Sequence, residues 1–136
     1  MAPRRAAKTR TVTKAPASAC LSKASEFLQA AQDSLSLRNY VAATGNAVHA
    51  GIAASDAISA ATVGSVWAGE HTLTASHLES AGAKGRQAAI QLRRLLPLKH
   101  RAEYDPKPIS AADVQAAVKA AERLVRIAQT CLAATN

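Results

Sequence analysis

Residues 40–61 read YVAATGNAVHAGIAASDAISAA, and nine of these positions are alanine. Alanine is the strongest helix former, and its small side chain lets neighbouring helices approach closely. We therefore predict a helix from Tyr40 to Ala61 that other helices cover on most sides. Gly45 and Gly51 weaken such a helix in isolation but permit close neighbours.

Apolar residues recur at helical spacing on both sides of this segment. Helices of this kind, joined by short connections, bury their apolar faces against one another. The sequence therefore predicts an all-α fold, a four- to five-helix bundle that is mostly antiparallel. The further helices are expected at about residues 21–36, 71–81, 86–101 and 111–133, with a short break at 37–39 and a loop at 62–69.

Two local signals concern the last two of these helices. Pro97 lies inside the fourth helix and is expected to kink it or to mark its local end. Ser110 and Asp113 have the spacing of a capping box at the start of the last helix. The two-proline connector DPKPIS, at residues 105–110, joins these two helices.

Positive charge is concentrated near the N-terminus. The chain has a net charge of +8, and residues 1–23 hold six basic side chains and no acidic one. Residues 24–136 hold eleven basic and nine acidic side chains, which leaves only +2 there. We expect residues 1–18 to form a disordered basic arm and residues 19–136 to form the helical domain. The arm is either a solvated leader or a weak, salt-sensitive tether to nucleic acid.

The sequence contains no pattern that predicts a cofactor or a metal site. Cys20 and Cys131 are too far apart for metal-ligand spacing, and glycine-rich phosphate loops and nucleophile elbows are absent from the sequence. No segment reads as a secretory signal or a membrane span. We therefore predict a cytoplasmic protein without cofactors, although residues 1–23 also loosely fit an organellar transit peptide.

Three larger polar side chains stand out in the alanine-rich helix. Asn46, His49 and Asp56 follow one another at steps of three and seven residues, so they share nearly one helix face. A carboxylate in such a buried setting needs donors or a cation. The sequence offers His71, Lys99, Arg94 or the N-terminus of a helix for this role. The stripe is either a satisfied core network or one wall of a functional cleft.

The fourth helix ends in a cluster of ionisable side chains. Lys99 and Glu103 are four residues apart, as are His100 and Tyr104, so each pair lies on one helix face. Cleavage of RNA without a metal needs a base, an acid and a cation at the phosphate. His100 with Arg93 or Arg94 could supply these groups, especially if a symmetric dimer unites two copies. The alternative is a helix cap with a solvated face, because basic residues favour the end of a helix.

Three stretches together carry a family signature: NAVHAGIAASDAI (46–58), GEHTLTASHL (69–78) and LLPLKHRAEYDPKPISAADVQAAVKAAERLV (95–125). In the last of them, Lys99, Ala102, Glu103 and Tyr104 match a basic residue followed by a small residue, an acid and a tyrosine. Over about residues 21–132 the chain resembles the HEPN superfamily. Its members are small helical domains of prokaryotic toxins, RNA-processing proteins and nucleotidyltransferase partners.

This resemblance implies a compact helical bundle, often a homodimer with a groove at the dimer seam. Active members of the family are metal-independent ribonucleases with an arginine, four to six residues, and then a histidine. Arg94 and His100, or Arg93 and His100, have that spacing here. Pro97 interrupts the motif, however, and Leu95 stands where a polar residue is usual.

These observations leave three functional hypotheses. The first is a binding or accessory HEPN-like module with a degenerate ribonuclease motif. It would serve an RNA- or nucleotide-linked system such as a toxin–antitoxin or phage-defence locus, with a nucleotidyltransferase or antitoxin as partner. The second is an active endoribonuclease toxin that uses Arg94 and His100, with Lys99 and Tyr104 lining the site. The third is a scaffold that its basic arm tethers to nucleic acid.

Overall fold

The computed structural model describes residues 9–11, 14–67 and 73–134, and within these ranges it contains five α-helices. The prediction of an all-α helical bundle is confirmed. The helices are α1 (Lys14–Ser36), α2 (Tyr40–Val63), α3 (Thr74–Glu79), α4 (Ala83–Glu103) and α5 (Ala111–Ala134).

A short pair of β-strands accompanies the helices. Strand β1 (Thr9–Thr11) runs antiparallel to β2 (Ser65–Trp67), with Arg10 opposite Val66. These two segments were expected to belong to a disordered arm and to a loop, and for them the expectation was wrong. Three-residue strands are too short to show an alternating apolar pattern.

Helix α1 begins at Lys14, seven residues before the predicted start and inside the segment 1–18 expected to be disordered. Alanine at several of these positions favours the helix. Pro16 is tolerated because the first four backbone N–H groups of a helix have no intrahelical acceptor. The expected disorder is therefore wrong for residues 14–18, while residues 1–8 lie outside the described ranges.

A tight turn folds α1 back onto α2. Arg38 has a φ of 60°, the left-handed conformation that commonly ends a helix. Its N–H donates to the carbonyl of Leu35 at 3.0 Å, and the N–H of Asn39 donates to that of Ser34 at 2.8 Å. These two bonds form a Schellman motif, which makes α1 and α2 an antiparallel pair centred on Arg38.

Helix α2 is the centre of the bundle and is buried along most of its length, as its alanine content predicted. Gly51 marks its closest approach to two neighbours. A Cβ atom at this position would collide with Cδ1 of Leu95 in α4 and lie 3.2 Å from Cδ1 of Leu124 in α5. Glycine at this position therefore lets both helices pack against the backbone of α2.

Helix α4 continues through Pro97 and ends at Glu103. The alternative that Pro97 marks a local end of the helix is therefore wrong. A proline in a helix removes one backbone hydrogen bond, to the carbonyl four residues earlier. Pro97 is exposed, so water can reach this part of the helix and satisfy the freed carbonyl.

In the part of the chain that the structure describes, the helices are too short or too polar to cross a lipid bilayer.

Two glycines of α2 give a matched test of the close packing of α4 and α5 around Gly51. Gly51→Ala should lower the free energy of unfolding by about 1–2 kcal/mol, because overpacking against Leu95 and Leu124 exceeds the gain in helix propensity. At Gly45, no neighbouring atom lies within 4 Å of the position that an added methyl carbon would occupy. Gly45→Ala should therefore raise the same free energy by about 0.5–1 kcal/mol. Urea unfolding of both variants measures the difference, and equal effects of one sign would contradict the close approach.

Candidate functional site

The ionisable cluster at the end of α4 is exposed and internally paired. Nζ of Lys99 lies 3.4 Å from Oε2 of Glu103. The rings of His100 and Tyr104 are 5.4 Å apart between centroids and tilted by 42°, and Tyr104 is 71% exposed. Both pairs predicted from the four-residue spacing therefore form, and they lie on the surface of the helix.

The two arginines of the predicted ribonuclease motif contact residues other than His100. Arg93, which shares a helix face with His100, forms an ion pair with Glu79 of α3 at 2.5 Å. Arg94 donates to Oε1 of Gln91 at 3.2 Å. His100 is six positions after Arg94, which places the two residues about 120° apart around the helix and about 9 Å along it. Arg93 is therefore engaged by Glu79, and Arg94 lies on another face of α4 from His100.

Arg101 connects the cluster to the start of α5. Its Nη1 lies 2.8 Å from Oδ2 of Asp113, and the N–H of Asp113 donates to Oγ of Ser110 at 3.1 Å. Ser110 therefore caps α5 as predicted, while the Asp113 carboxylate turns to Arg101. The hydrogen bond from Arg101 lowers the pKa of Asp113 from its ordinary value of 3.8. This part of the cluster joins two helices.

The polar stripe of α2 is divided between two environments. Nδ2 of Asn46 donates to the carbonyl of Ala42 at 3.0 Å, so its amide is used within the helix. His49 is exposed and its ring lies 5.2 Å from that of Phe27 in α1. Asp56 is half-buried rather than fully buried. His49 and Asp56 line one cavity of about 450 Å³ between α1 and α2.

Asp56 does not meet Lys99, Glu103 or Tyr104 at this cavity. The end of α4 lies beside the start of α2, where Ala102 packs with Tyr40 and Ala43 around Ile109. Asp56 is 13 residues beyond Ala43, which is about 20 Å along the helix. The two polar regions are therefore at opposite ends of α2. Among the donors proposed for Asp56, His71 lies outside the described residues.

A second groove, between α4 and α5, was missed in the sequence. It has a volume of about 310 Å³ and is lined by Gln87, Ile90, Gln91, Arg123, Arg126 and Ile127. Ile90 is 52% exposed, which is unusual for a large apolar side chain. The groove contains apolar, amide and guanidinium groups, and none of its lining residues is acidic.

The positive charge continues beyond the groove on both helices. Lys119, Arg123 and Arg126 are spaced by four and three residues, so they share one exposed face of α5. Arg94 adjoins the groove through its bond to Gln91. Among the described residues, none of these four cations has a carboxylate within 4.0 Å. The spacing of the basic residues on α5 was the signal in the sequence that could have revealed this face.

No protein-family model matches the chain, and no curated protein matches it. Within the described ranges, no three His, Cys, Asp or Glu side chains lie close enough together to hold a metal ion. The α1–α2 cavity, the α4–α5 groove and the cluster at the end of α4 are thus the features that bear on function.

The Arg101–Asp113 pair should make stability depend on pH. The folded-state pKa of Asp113 is lowered, so the pair stabilises the fold above the unfolded pKa and this stabilisation is lost as the pH falls through the folded one. Arg101→Gln should therefore lower the melting temperature at pH 7, and its difference from the parent should shrink below pH 3.8.

Arg94→Gln is the matched control, because Arg94 bonds to a neutral amide. Its difference from the parent should stay constant over the same pH range. A constant difference for Arg101→Gln as well, measured by thermal unfolding, would exclude Asp113 as the group that responds.

Proposed function

We propose that this chain is an RNA-binding module without ribonuclease activity of its own, and that RNA binds along the groove between α4 and α5. The observation that carries the proposal is the set of cations without acidic partners at this groove, centred on Arg123 and Arg126. The phosphate backbone dominates the affinity of proteins for nucleic acid, and basic side chains that no carboxylate engages are free to contact it.

The rest of the groove suits one nucleotide of a single strand. Ile90 and Ile127 offer an apolar surface on which a base can pack, while Arg123 and Arg126 lie beside it for the phosphate. Gln87 and Gln91 each carry two N–H donors, which are suited to acceptors on the polar edge of a base, while Oε1 of Gln91 accepts from Arg94. Single-stranded RNA exposes these base edges and faces, whereas a duplex hides them.

The arrangement of the ribonuclease motif supports binding over cleavage. Arg93 is held by Glu79, and Arg94 lies on another face of α4 from His100. A general base must come within hydrogen-bond reach of the proton that it removes, with the cation near the same phosphate. An active site would therefore need a second copy of the chain to bring in the missing group.

This proposal agrees with the first hypothesis, a HEPN-like accessory module of an RNA-linked system. A toxin–antitoxin or phage-defence locus, with a nucleotidyltransferase or antitoxin as partner, is the setting that the resemblance implies. Homodimer formation belongs to the same proposal.

RNA binding can be tested with charge-matched variants. Arg123→Gln/Arg126→Gln should weaken binding to a fluorescein-labelled single-stranded RNA by roughly tenfold or more, because two phosphate contacts are lost. The slope of log affinity against log salt should fall by about 1.4 for these two contacts. Fluorescence anisotropy over a series of salt concentrations measures both quantities.

Two further double variants complete this experiment. Arg38→Gln/Lys107→Gln removes the same charge at the opposite end of the bundle and should leave most of the affinity. Arg4→Gln/Arg5→Gln removes it from the N-terminal segment without deleting any residue of α1. Loss of binding only in the N-terminal variant would favour the tether hypothesis and overturn the groove.

The nuclease alternative has its own test. The purified chain should leave tRNA and mRNA intact in the presence of EDTA over a range of protein concentrations that spans dimer formation. Cleavage that persists in EDTA and disappears in His100→Ala would instead establish a metal-independent ribonuclease. Gel electrophoresis of the RNA after incubation distinguishes the two results.

A further inference from the structure

The cavity between α1 and α2 holds polar groups that the RNA groove does not use. Cys20, Lys23 and Phe27 line it from α1, and His49, Ile52, Ala53 and Asp56 line it from α2. Its volume of about 450 Å³ lies in the range of small-molecule sites, which is about 300–1,000 Å³. The cavity is therefore large enough for a small organic ligand.

The antiparallel α1–α2 pair fixes the order of these groups along the cavity. Phe27 and His49 are each eleven residues from Arg38, so they lie at one level. Lys23 and Ala53 are each fifteen residues from it and form the next level, and Cys20 and Asp56 form the third. An aromatic end is thus followed by a cation and then by a carboxylate, over about 10 Å of helix.

The two opposite charges share this cavity without closing on each other. Among the described side chains, Lys23 has no carboxylate within 4.0 Å, although Lys23 and Asp56 are only about one helical turn apart in level. Asp56 also interacts within the protein, but a carboxylate offers about four acceptor positions. A ligand that carries an ammonium and a carboxylate on one carbon can therefore meet Lys23 and Asp56 at once.

The other end of the cavity suits a flat apolar group. The rings of Phe27 and His49 are 5.2 Å apart and tilted by 32°, within the range at which aromatic rings pack favourably. Ile52 adds an aliphatic surface at the adjoining level. An aromatic ring placed here would contact the two rings and the side chain of Ile52.

Two other chemistries fit the cavity less well. A thiol nucleophile needs an imidazole within hydrogen-bond reach, but Cys20 lies level with Asp56, and His49 is about 10 Å further along α2. A metal site needs converging ligands, and no such group of three exists among the described residues. The cavity is therefore better suited to binding than to covalent or metal chemistry.

We propose that this cavity binds a free aromatic α-amino acid. Asp56 accepts hydrogen bonds from the ligand's ammonium group, Lys23 pairs with its carboxylate, and its ring lies on Ile52 beside Phe27 and His49. The ammonium and carboxylate of this ligand are attached to one carbon, which matches the adjoining levels of Asp56 and Lys23. The ring extends away from both charges, toward the aromatic end. This site is separate from the RNA groove and does not depend on it.

Isothermal titration calorimetry with the full chain tests the proposal. L-Phenylalanine and L-tryptophan should bind with a Kd of about 1 mM or tighter, which is modest for ligands of this size. Three analogues each lack one group: 2-phenylethylamine has no carboxylate, 3-phenylpropanoate has no ammonium, and L-alanine has no ring. Each analogue should bind at least about tenfold more weakly, since every tenfold corresponds to the loss of one modest contact.

Two variants should show opposite selectivity. Lys23→Met should weaken L-phenylalanine and leave 2-phenylethylamine unchanged, because only the former has the carboxylate that Lys23 meets. Asp56→Asn should weaken L-phenylalanine and leave 3-phenylpropanoate unchanged. Lys107→Met, a charge-matched variant in the connector between α4 and α5, should bind like the parent. Thermal unfolding of each variant confirms that it is folded.

Absence of saturable binding of both amino acids to the parent would overturn the proposal. So would equal weakening of L-phenylalanine and 2-phenylethylamine by Lys23→Met, because the lysine would then not recognise the carboxylate. Lys23 is exposed, so this variant remains informative even if Asp56→Asn is too unstable to titrate.

Discussion

The close approach of α4 and α5 to the backbone of α2 is the constraint on which the rest of the structure depends. A methyl group at Gly51 would collide with Cδ1 of Leu95 and press against Cδ1 of Leu124, so these side chains would have to shift. Along the rest of the helix, alanines fill most buried positions. A core built from such small side chains requires short distances between helix axes, because dispersion contacts are lost as soon as a gap opens.

This packing leaves little space for polar groups inside the bundle and moves them to the seams between helix pairs. Asp56 and Lys23 lie at the seam of α1 and α2, and Arg123 and Arg126 lie at the seam of α4 and α5. Neither seam contains His100. Functions that depend on charge are therefore expected at the α1–α2 cavity and the α4–α5 groove, which both lie outside the apolar core.

The helical faces could be read from the sequence to a large extent. The apolar residues that recur at helical spacing along α5 are all buried, because an apolar stripe of period 3.6 has only one way to face a core. They are Val114, Ala117, Val118, Ala121, Leu124, Val125 and Ala128. His49 and Asp56 share one face of α2 because seven residues make about two helical turns. The β1–β2 pair was not predictable, since neither three-residue strand has a pattern of its own. The separation of Asp56 from Lys99 was not predictable either, because spacing along a chain does not say which helix ends are neighbours.

The sequence by itself determined the number and order of the helices, which of their faces are apolar and that Arg38 belongs to a break between two of them. These properties depend on interactions within a few residues, namely helix propensity, the spacing of apolar side chains and local hydrogen bonds. Only the tertiary structure decided that Lys23 and Asp56 line one cavity, that Glu79 engages Arg93, and that Arg123 and Arg126 border a groove with Ile90. Such contacts join residues far apart in the chain, and their geometry is set by how the helices pack.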